Sequence, residues 1–222
     1  MPSQIGLFGG TFNPMHQGHW QVAQDVLQQF QLDCIHFIPC AVPPHKTAEP
    51  ITHPSHRLEM VRLAVDDRQG FVVSDVEIQR DGPSYTWDTL QHYQNKFAES
   101  AQLFFMVGLD AFLEIHTWKM YQQLFDAVGF IVMSRPGIET PTTSMAETVL
   151  DYTQTHISSD YYLGDEKNKL HHATQSTICL APVTPVPIAS SQIRDMVARG
   201  ESIEPWVTPA VARYIKEKGL YR

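Results

Sequence analysis

The chain is short of cysteine, of positive charge and of long apolar runs, and each shortage excludes something. Three of its 222 residues are cysteines, Cys34, Cys40 and Cys179, an odd count with no CxxC pair. That pattern does not support a disulfide framework and reads as reduced structural thiols in a cytosolic protein. Lysine and arginine total 16 against 24 aspartates and glutamates, for a formal charge of −8. Proteins that grip a nucleic-acid backbone usually carry a basic excess on one face, so no nucleic acid is expected as partner. Any anion held here must be held by local groups. No stretch approaches the length needed to cross a bilayer. The opening MPSQIGLFGG lacks the basic segment, apolar run and cleavage site of a secretory signal. The expectation is a cytoplasmic protein with no membrane partner.

What is present suits one compact domain over residues 1–222, since 43% of the residues are hydrophobic and 18% charged. Short apolar runs rich in β-branched and aromatic residues recur at QIGLF, CIHFIP, FVVSDVEI, LFFMVG, VGFIVM and STICLA, with helical patterns between them. The alternation predicts an α/β fold, a parallel sheet covered on both faces. Trp20, Ala23, Val26, Leu27 and Phe30 form the apolar stripe of a first helix, and Leu58, Val61 and Val65 that of a second. Leu90, Tyr93 and Phe97 mark a third, within TWDTLQHYQNKF. Two C-terminal helices are expected, in SSQIRDMVARG and TPAVARYIKEKG. In the latter, Thr208 is the N-cap, Pro209 the first helical residue and Gly219 the close. Between Arg135 and Ser176 the chain is rich in Thr, Ser, Gln and His, with one weak helical pattern at MAETVLDY. Insertions or mobility are expected there, in a variable segment near 137–176.

The stretch from Gly6 to His19, GLFGGTFNPMHQGH, joins the first strand to the first helix. Glycines there let the backbone turn tightly and approach a ligand, and the helix behind presents unpaired N–H groups and a positive dipole end, so phosphate is the natural guest. The spacing fits neither GxGxxG nor GxxxxGK[ST]. His16 and His19, three apart around Gly18, are either phosphate donors at the helix start, ordinary loop histidines or, least favoured, metal ligands. No cysteine or carboxylate stands nearby at ligand spacing, and no protein metal site is expected. The other histidines, among them His36, His92, His116 and His156, fall on different elements.

GGTFNPMHQGH resembles the GG[TS]F[DN]PxHxGH signature of the HxGH nucleotidyltransferase superfamily, and IASSQIR resembles its second signature. PPHK, PSYTWDTL, GLDAFLEIHTW, SRPG and the terminal GLYR resemble the bacterial nicotinate-mononucleotide adenylyltransferase family across essentially the whole chain. The resemblance implies a Rossmann-like, doubly wound parallel sheet with C-terminal helices. It also implies transfer of AMP from ATP to nicotinate mononucleotide, giving nicotinate adenine dinucleotide and pyrophosphate in NAD biosynthesis. Asn13, Leu109, Lys119, Ala189 and Ser191 depart from the commonest residues of the pattern, and none removes a charged or imidazole group the chemistry would need.

The resemblance further implies residue roles. His16 and His19 would donate to the α- and β-phosphates of ATP, with backbone groups of Gly9, Gly10, Thr11, Phe12 and Gly18 around them. Arg194, in a helix capped by Ser190 and Ser191, would meet the β- and γ-phosphates, and Lys46 the reacting phosphates. Gly108 and Asp110 would lie against the nucleotide. Tyr85, Thr86 and Trp118 would hold the pyridine ring and its carboxylate, with Arg135 near the mononucleotide phosphate. Mg²⁺ would arrive on the triphosphate, held largely by phosphate and water. The competing readings are a transferase for another acceptor, nicotinamide mononucleotide or phosphopantetheine, and a nucleotide-binding module that has lost turnover. The oligomeric state is not legible in the sequence.

Overall fold

The computed structural model describes residues 2–44, 51–66, 68–134 and 144–222. The first half runs β1 (Ser3–Gly10), α1 (Gln17–Gln29), β2 (Cys34–Pro39), α2 (Pro54–Val65), β3 (Phe71–Val73), α3 (Thr86–Phe97) and β4 (Ala101–Gly108). The second runs α4 (Leu109–Phe112), α5 (Tyr121–Ala127), β5 (Gly129–Met133), α6 (Met145–His156), β6 (Tyr162–Leu163), β7 (Lys169–His171), β8 (Ile178–Ala181), α7 (Ser190–Ala198) and α8 (Pro209–Lys218). The strands form one sheet in the order β3-β2-β1-β4-β5-β8-β7-β6. The six strands from β3 to β8 are parallel, as the alternation of runs and helices predicts, and β7 and β6 add an antiparallel edge.

The central strands are apolar on both sides because both sides are covered. In β4, Leu103, Phe105 and Val107 face one core while Phe104 and Met106 face the other. β5 divides in the same way, with Phe130 and Val132 against Ile131 and Met133. This is the period of two expected of a strand, with apolar residues on each face. One core is closed by Ala23 and Val26 of α1, Met60 and Val61 of α2, Ile193 of α7 and Val211 and Ile215 of α8. Leu90 and Tyr93 of α3, Leu124 and Phe125 of α5 and Val149 of α6 close the other. The fold is therefore doubly wound.

One sequence expectation needs correction. Of FVVSDVEI only Phe71–Val73 pairs as a strand. The Asp75 carbonyl then accepts from the N–H groups of Ile78 and Gln79, which turns the chain away, and Glu77 is buried where the Thr89 hydroxyl donates to it at 2.7 Å. Within the stretch expected to vary, the weak helical pattern at MAETVLDY lies in α6. A reciprocal capping box starts α6, with the Ser144 N–H donating to Glu147 at 2.9 Å and the Glu147 N–H to Ser144 Oγ at 3.3 Å. The β6/β7 hairpin that follows has strands too short to show alternation in sequence. The C-terminal helix agrees with its punctuation: the Thr208 hydroxyl accepts from Val211 N–H, Pro209 is first, and Gly219 takes the left-handed conformation at φ 61°.

His36 of β2 is buried, its Nδ1 3.1 Å from the Tyr93 hydroxyl. Burial, helped by the positive charge of Lys96, lowers its pKa from 6.5 to about 4. The unfolded chain thus takes up a proton near pH 6.5 that the folded chain refuses until about pH 4, and stability falls as pH drops across that window. In thermal melts, His36→Gln should show a shallower loss of melting temperature than wild type between these pH values. Parallel slopes would rule out His36 as the source.

Candidate active site

The sheet order reverses at β1 and β4. The chain leaving β1 crosses to the face covered by α1 and the chain leaving β4 to the face covered by α4 and α5, so a crevice opens beyond their C-terminal ends. Gly9 and Gly10 end β1, and Gly108 ends β4 two residues before Asp110 in α4. Thr11 to His16 crosses this end of the sheet, with Phe12, Asn13, Met15 and His16 all buried. The nearest neighbours of the two glycines that flank it, Gly10 and Gly18, are the chain's own rings. A Cβ on Gly10 would fall 2.9 Å from the Phe12 ring, itself at φ 47°, and one on Gly18 would fall 3.0 Å from Cε1 of His16. Glycine at these positions makes room for rings that line the crevice.

His16 is the N-cap of α1. Its Nδ1 accepts from the Gly18 N–H at 3.1 Å, and Nδ1 of His19 accepts from the His16 N–H at 3.3 Å. The two rings lie 3.8 Å apart, and the His19 ring packs against Phe12. Helix N-termini leave backbone N–H groups to be satisfied, usually by Ser, Thr, Asp or Asn. Here imidazoles do it in a reciprocal pair. Because each Nδ1 accepts, a neutral ring carries its proton on Nε2, the nitrogen through which it donates.

Partners from distant parts of the chain hold the loop. Arg57 is completely buried. Its Nη1 donates to Thr11 O at 2.8 Å, Nε to Thr52 O at 2.8 Å and Nη2 to Ala41 O at 3.0 Å, with Cys40 Sγ 3.8 Å from Nη1. Arg194 Nη1 donates to Asn13 O at 3.1 Å, the Ser190 hydroxyl to Pro14 O at 2.9 Å and the Tyr221 hydroxyl to Asn13 Oδ1 at 2.9 Å. Sequence reasoning missed Arg57 and the contact between Asn13 and Tyr221. A signal for Arg57 exists: it stands on the same face of α2 as Met60, Val61 and Ala64, where every other residue is apolar and buried.

The structure corrects one detail of α7. Its N-cap is Ala189, not Ser190 or Ser191, and the Ala189 N–H donates to Gln192 Oε1 at 2.7 Å. Ser190 is the first helical residue, and its hydroxyl is spent on the opening loop. Ser191 follows it, and Arg194 reaches the same loop from the next turn. Lys46 and Arg135 lie outside the described residues.

Just before α3, Ser84 Oγ accepts from the N–H groups of Ala41 at 2.9 Å and Val42 at 3.3 Å. A run of hydrogen bonds therefore passes from Thr11 through Arg57 and Ala41 to Ser84. Tyr85 is the N-cap of α3 and makes no side-chain cap, and Thr86 opens the helix. Trp118 is half-buried, edge-on to Phe105 of β4. Lys119 Nζ sits 4.8 Å from the centre of the Tyr85 ring and donates to Asp88 Oδ1 and Oδ2 at 2.9 and 3.0 Å. One face of the Tyr85 ring thus already carries a cation. Among the described residues no three histidine, cysteine or carboxylate side chains gather where a metal ion could be held, and no helix is long and apolar enough to cross a membrane.

Residues 7–196 match the cytidylyltransferase-like family. A protein of Geobacter sp. (strain M21) named "Probable nicotinate-nucleotide adenylyltransferase" is 39% identical over 218 residues, 98% of each chain. One of the same name from Desulfatibacillum aliphaticivorans is 39% identical over 226 residues, 98% of this chain and 99% of that one. Among solved structures, Plasmodium falciparum nicotinic acid mononucleotide adenylyltransferase complexed with NaAD superimposes with a TM-score of 0.70 at 18% identity. The superposition covers 99% of this chain and 97% of that one, a likeness of fold.

Two stability measurements follow from this geometry. His16→Ala removes a cap and should lower unfolding stability by about 1 kcal/mol, whereas His16→Asn, another capping residue, should recover most of it. Arg57→Met removes the donors of three part-buried carbonyls and should lower stability by roughly 3 kcal/mol. Chemical denaturation reads both, and an Arg57→Met variant as stable as wild type would show that the clamp is dispensable.

Proposed function

The chain belongs to the cytidylyltransferase-like family and, within it, to the nicotinate-nucleotide adenylyltransferases; from that premise we propose how its residues carry out the reaction. The enzyme transfers AMP from ATP to nicotinate mononucleotide and releases pyrophosphate, a step of NAD biosynthesis. The cytoplasm, where ATP and mononucleotides are found, is its proposed location.

The nucleophile is a phosphate oxygen of the mononucleotide, whose second pKa of about 6 leaves it largely ionised at neutral pH. It forms a bond to the α-phosphorus of ATP, and the bond from that phosphorus to the bridging oxygen breaks, so pyrophosphate departs with the electron pair. No protein nucleophile is required. The enzyme must align two anions and neutralise charge as it moves onto the leaving oxygens.

The observation that carries this reading is the imidazole pair at the start of α1. Both Nδ1 atoms accept backbone N–H groups, so both Nε2 atoms serve as preset donors at a helix N-terminus that favours anions. His16 and His19 would meet the α- and β-phosphates, with Gly9, Gly10, Thr11, Phe12 and Gly18 shaping the wall. Arg194 and the backbone N–H groups of Ser190 and Ser191 would serve the β- and γ-phosphates, with α7 tethered to Asn13 and Pro14. Gly108 and Asp110 would border the nucleotide from the end of β4. Lys46 and Arg135 are proposed to reach the reacting phosphates and the mononucleotide phosphate. Mg²⁺ would enter with ATP as part of the substrate and would neutralise triphosphate charge. The nicotinate ring would stack on Trp118, with its carboxylate at the N–H groups that open α3 at Thr86.

Pyrophosphate release with ATP and Mg²⁺ tests the reading, with nicotinate mononucleotide, nicotinamide mononucleotide and phosphopantetheine supplied in parallel. Release should be fastest with the nicotinate acceptor, and His19→Ala should reduce kcat by about 100-fold or more, as loss of a transition-state donor does. Preference for another acceptor would overturn the substrate. Absence of release with all three would leave a binding module.

A further inference from the structure

The Lys119–Asp88 ion pair lies beside the acceptor end of the crevice and has no part in the chemistry above. Asp88 is the third residue of α3, so its carboxylate sits in the first turn of the helix whose opening N–H groups are proposed to take the substrate carboxylate. A carboxylate in a first turn satisfies the helix dipole from within and repels a second anion brought to the same end. Lys119 answers that charge. It comes from the segment after Trp118, grips both Asp88 oxygens and lies over the Tyr85 ring, the N-cap of the same helix. The pair is partly exposed, with 43% of the Lys119 side chain and 26% of that of Asp88 accessible. Its effect on a neighbouring anion is therefore moderate and screened by salt.

We propose that Lys119 is a specificity-determining residue: by neutralising Asp88 it restores the anion-favouring end of α3 and so sets the preference for an acceptor bearing a carboxylate over one bearing a carboxamide. The inference rests on the acceptor reading of Tyr85, Thr86 and Trp118. The amide brings no charge to the helix end, so the charge state of the pair acts on the acid form alone, and the ratio of the two kcat/KM values isolates it.

The test is a double-mutant cycle of Lys119→Gln, Asp88→Asn and the two combined, with kcat/KM measured for nicotinate and nicotinamide mononucleotide and melting temperature as a control for folding. Lys119→Gln leaves Asp88 uncompensated and should lower the acid-to-amide ratio by about three- to tenfold, the reach of one partly exposed charge. Asp88→Asn leaves the ammonium without its counter-ion and should raise the ratio. The combined variant is again neutral and should return the ratio toward wild type, although its structural bridge is lost. Raising the ionic strength toward about 1 M should compress the differences.

A pair that only braces the loop predicts the opposite: both acceptors weakened equally, and the double variant no better than the singles. That result would overturn this inference while leaving the acceptor reading intact. A wild-type enzyme that adenylates neither pyridine mononucleotide would overturn both.

Discussion

Buried backbone must find hydrogen-bond partners, and in this protein the need is concentrated between Thr11 and His16. A strand ends there, a helix has not yet begun, and the chain runs through the interior at the open end of the sheet. No regular element can satisfy its carbonyls and N–H groups, and a buried group left unsatisfied costs about 1–3 kcal/mol. Arg57, Arg194, Ser190 and Tyr221 supply donors from α2, α7 and the C-terminus. Two imidazoles supply the acceptors at the helix start. The order of the site follows from that accounting.

The same bonds join stability to chemistry. His16 caps a helix through Nδ1, and in the proposed reaction the same side chain donates through Nε2. Arg57 donates to the carbonyl of Thr11 in the opening loop and to that of Ala41, whose N–H donates to Ser84. A lysine, with a single ammonium centre, could not span those directions. The proposed triphosphate and acceptor ends of the crevice are thereby tied to one buried group. The partly exposed pair of Lys119 and Asp88, by contrast, stands where charge can be altered with little effect on the fold.

Sequence reading succeeds where a pattern is local. The six parallel strands, the limits of α3 and the caps of α8 are legible because alternation, helical spacing and Thr-Pro punctuation act within a few residues. The hairpin of β6 and β7 escapes because two or three residues carry no period. The tail of FVVSDVEI misleads because burial of Glu77 and the turn at Asp75 override strand propensity. At the site, His16 and His19 stand out by their glycines, but the reason for those glycines does not: two of them make room for Phe12 and His16 rather than only for a ligand.

By itself the sequence determined the alternation that makes a doubly wound sheet, the loop that holds two histidines at a helix start, and the family those signatures belong to. Only the tertiary structure decided that both histidines accept backbone N–H groups through Nδ1, that Ser190 anchors the loop instead of capping its helix, and that Tyr221 meets Asn13 across 208 positions of sequence. The physical reason is range. Propensity and periodicity are properties of neighbours along the chain, whereas the satisfaction of a buried polar group depends on whichever residue the packed cores bring within about 3 Å.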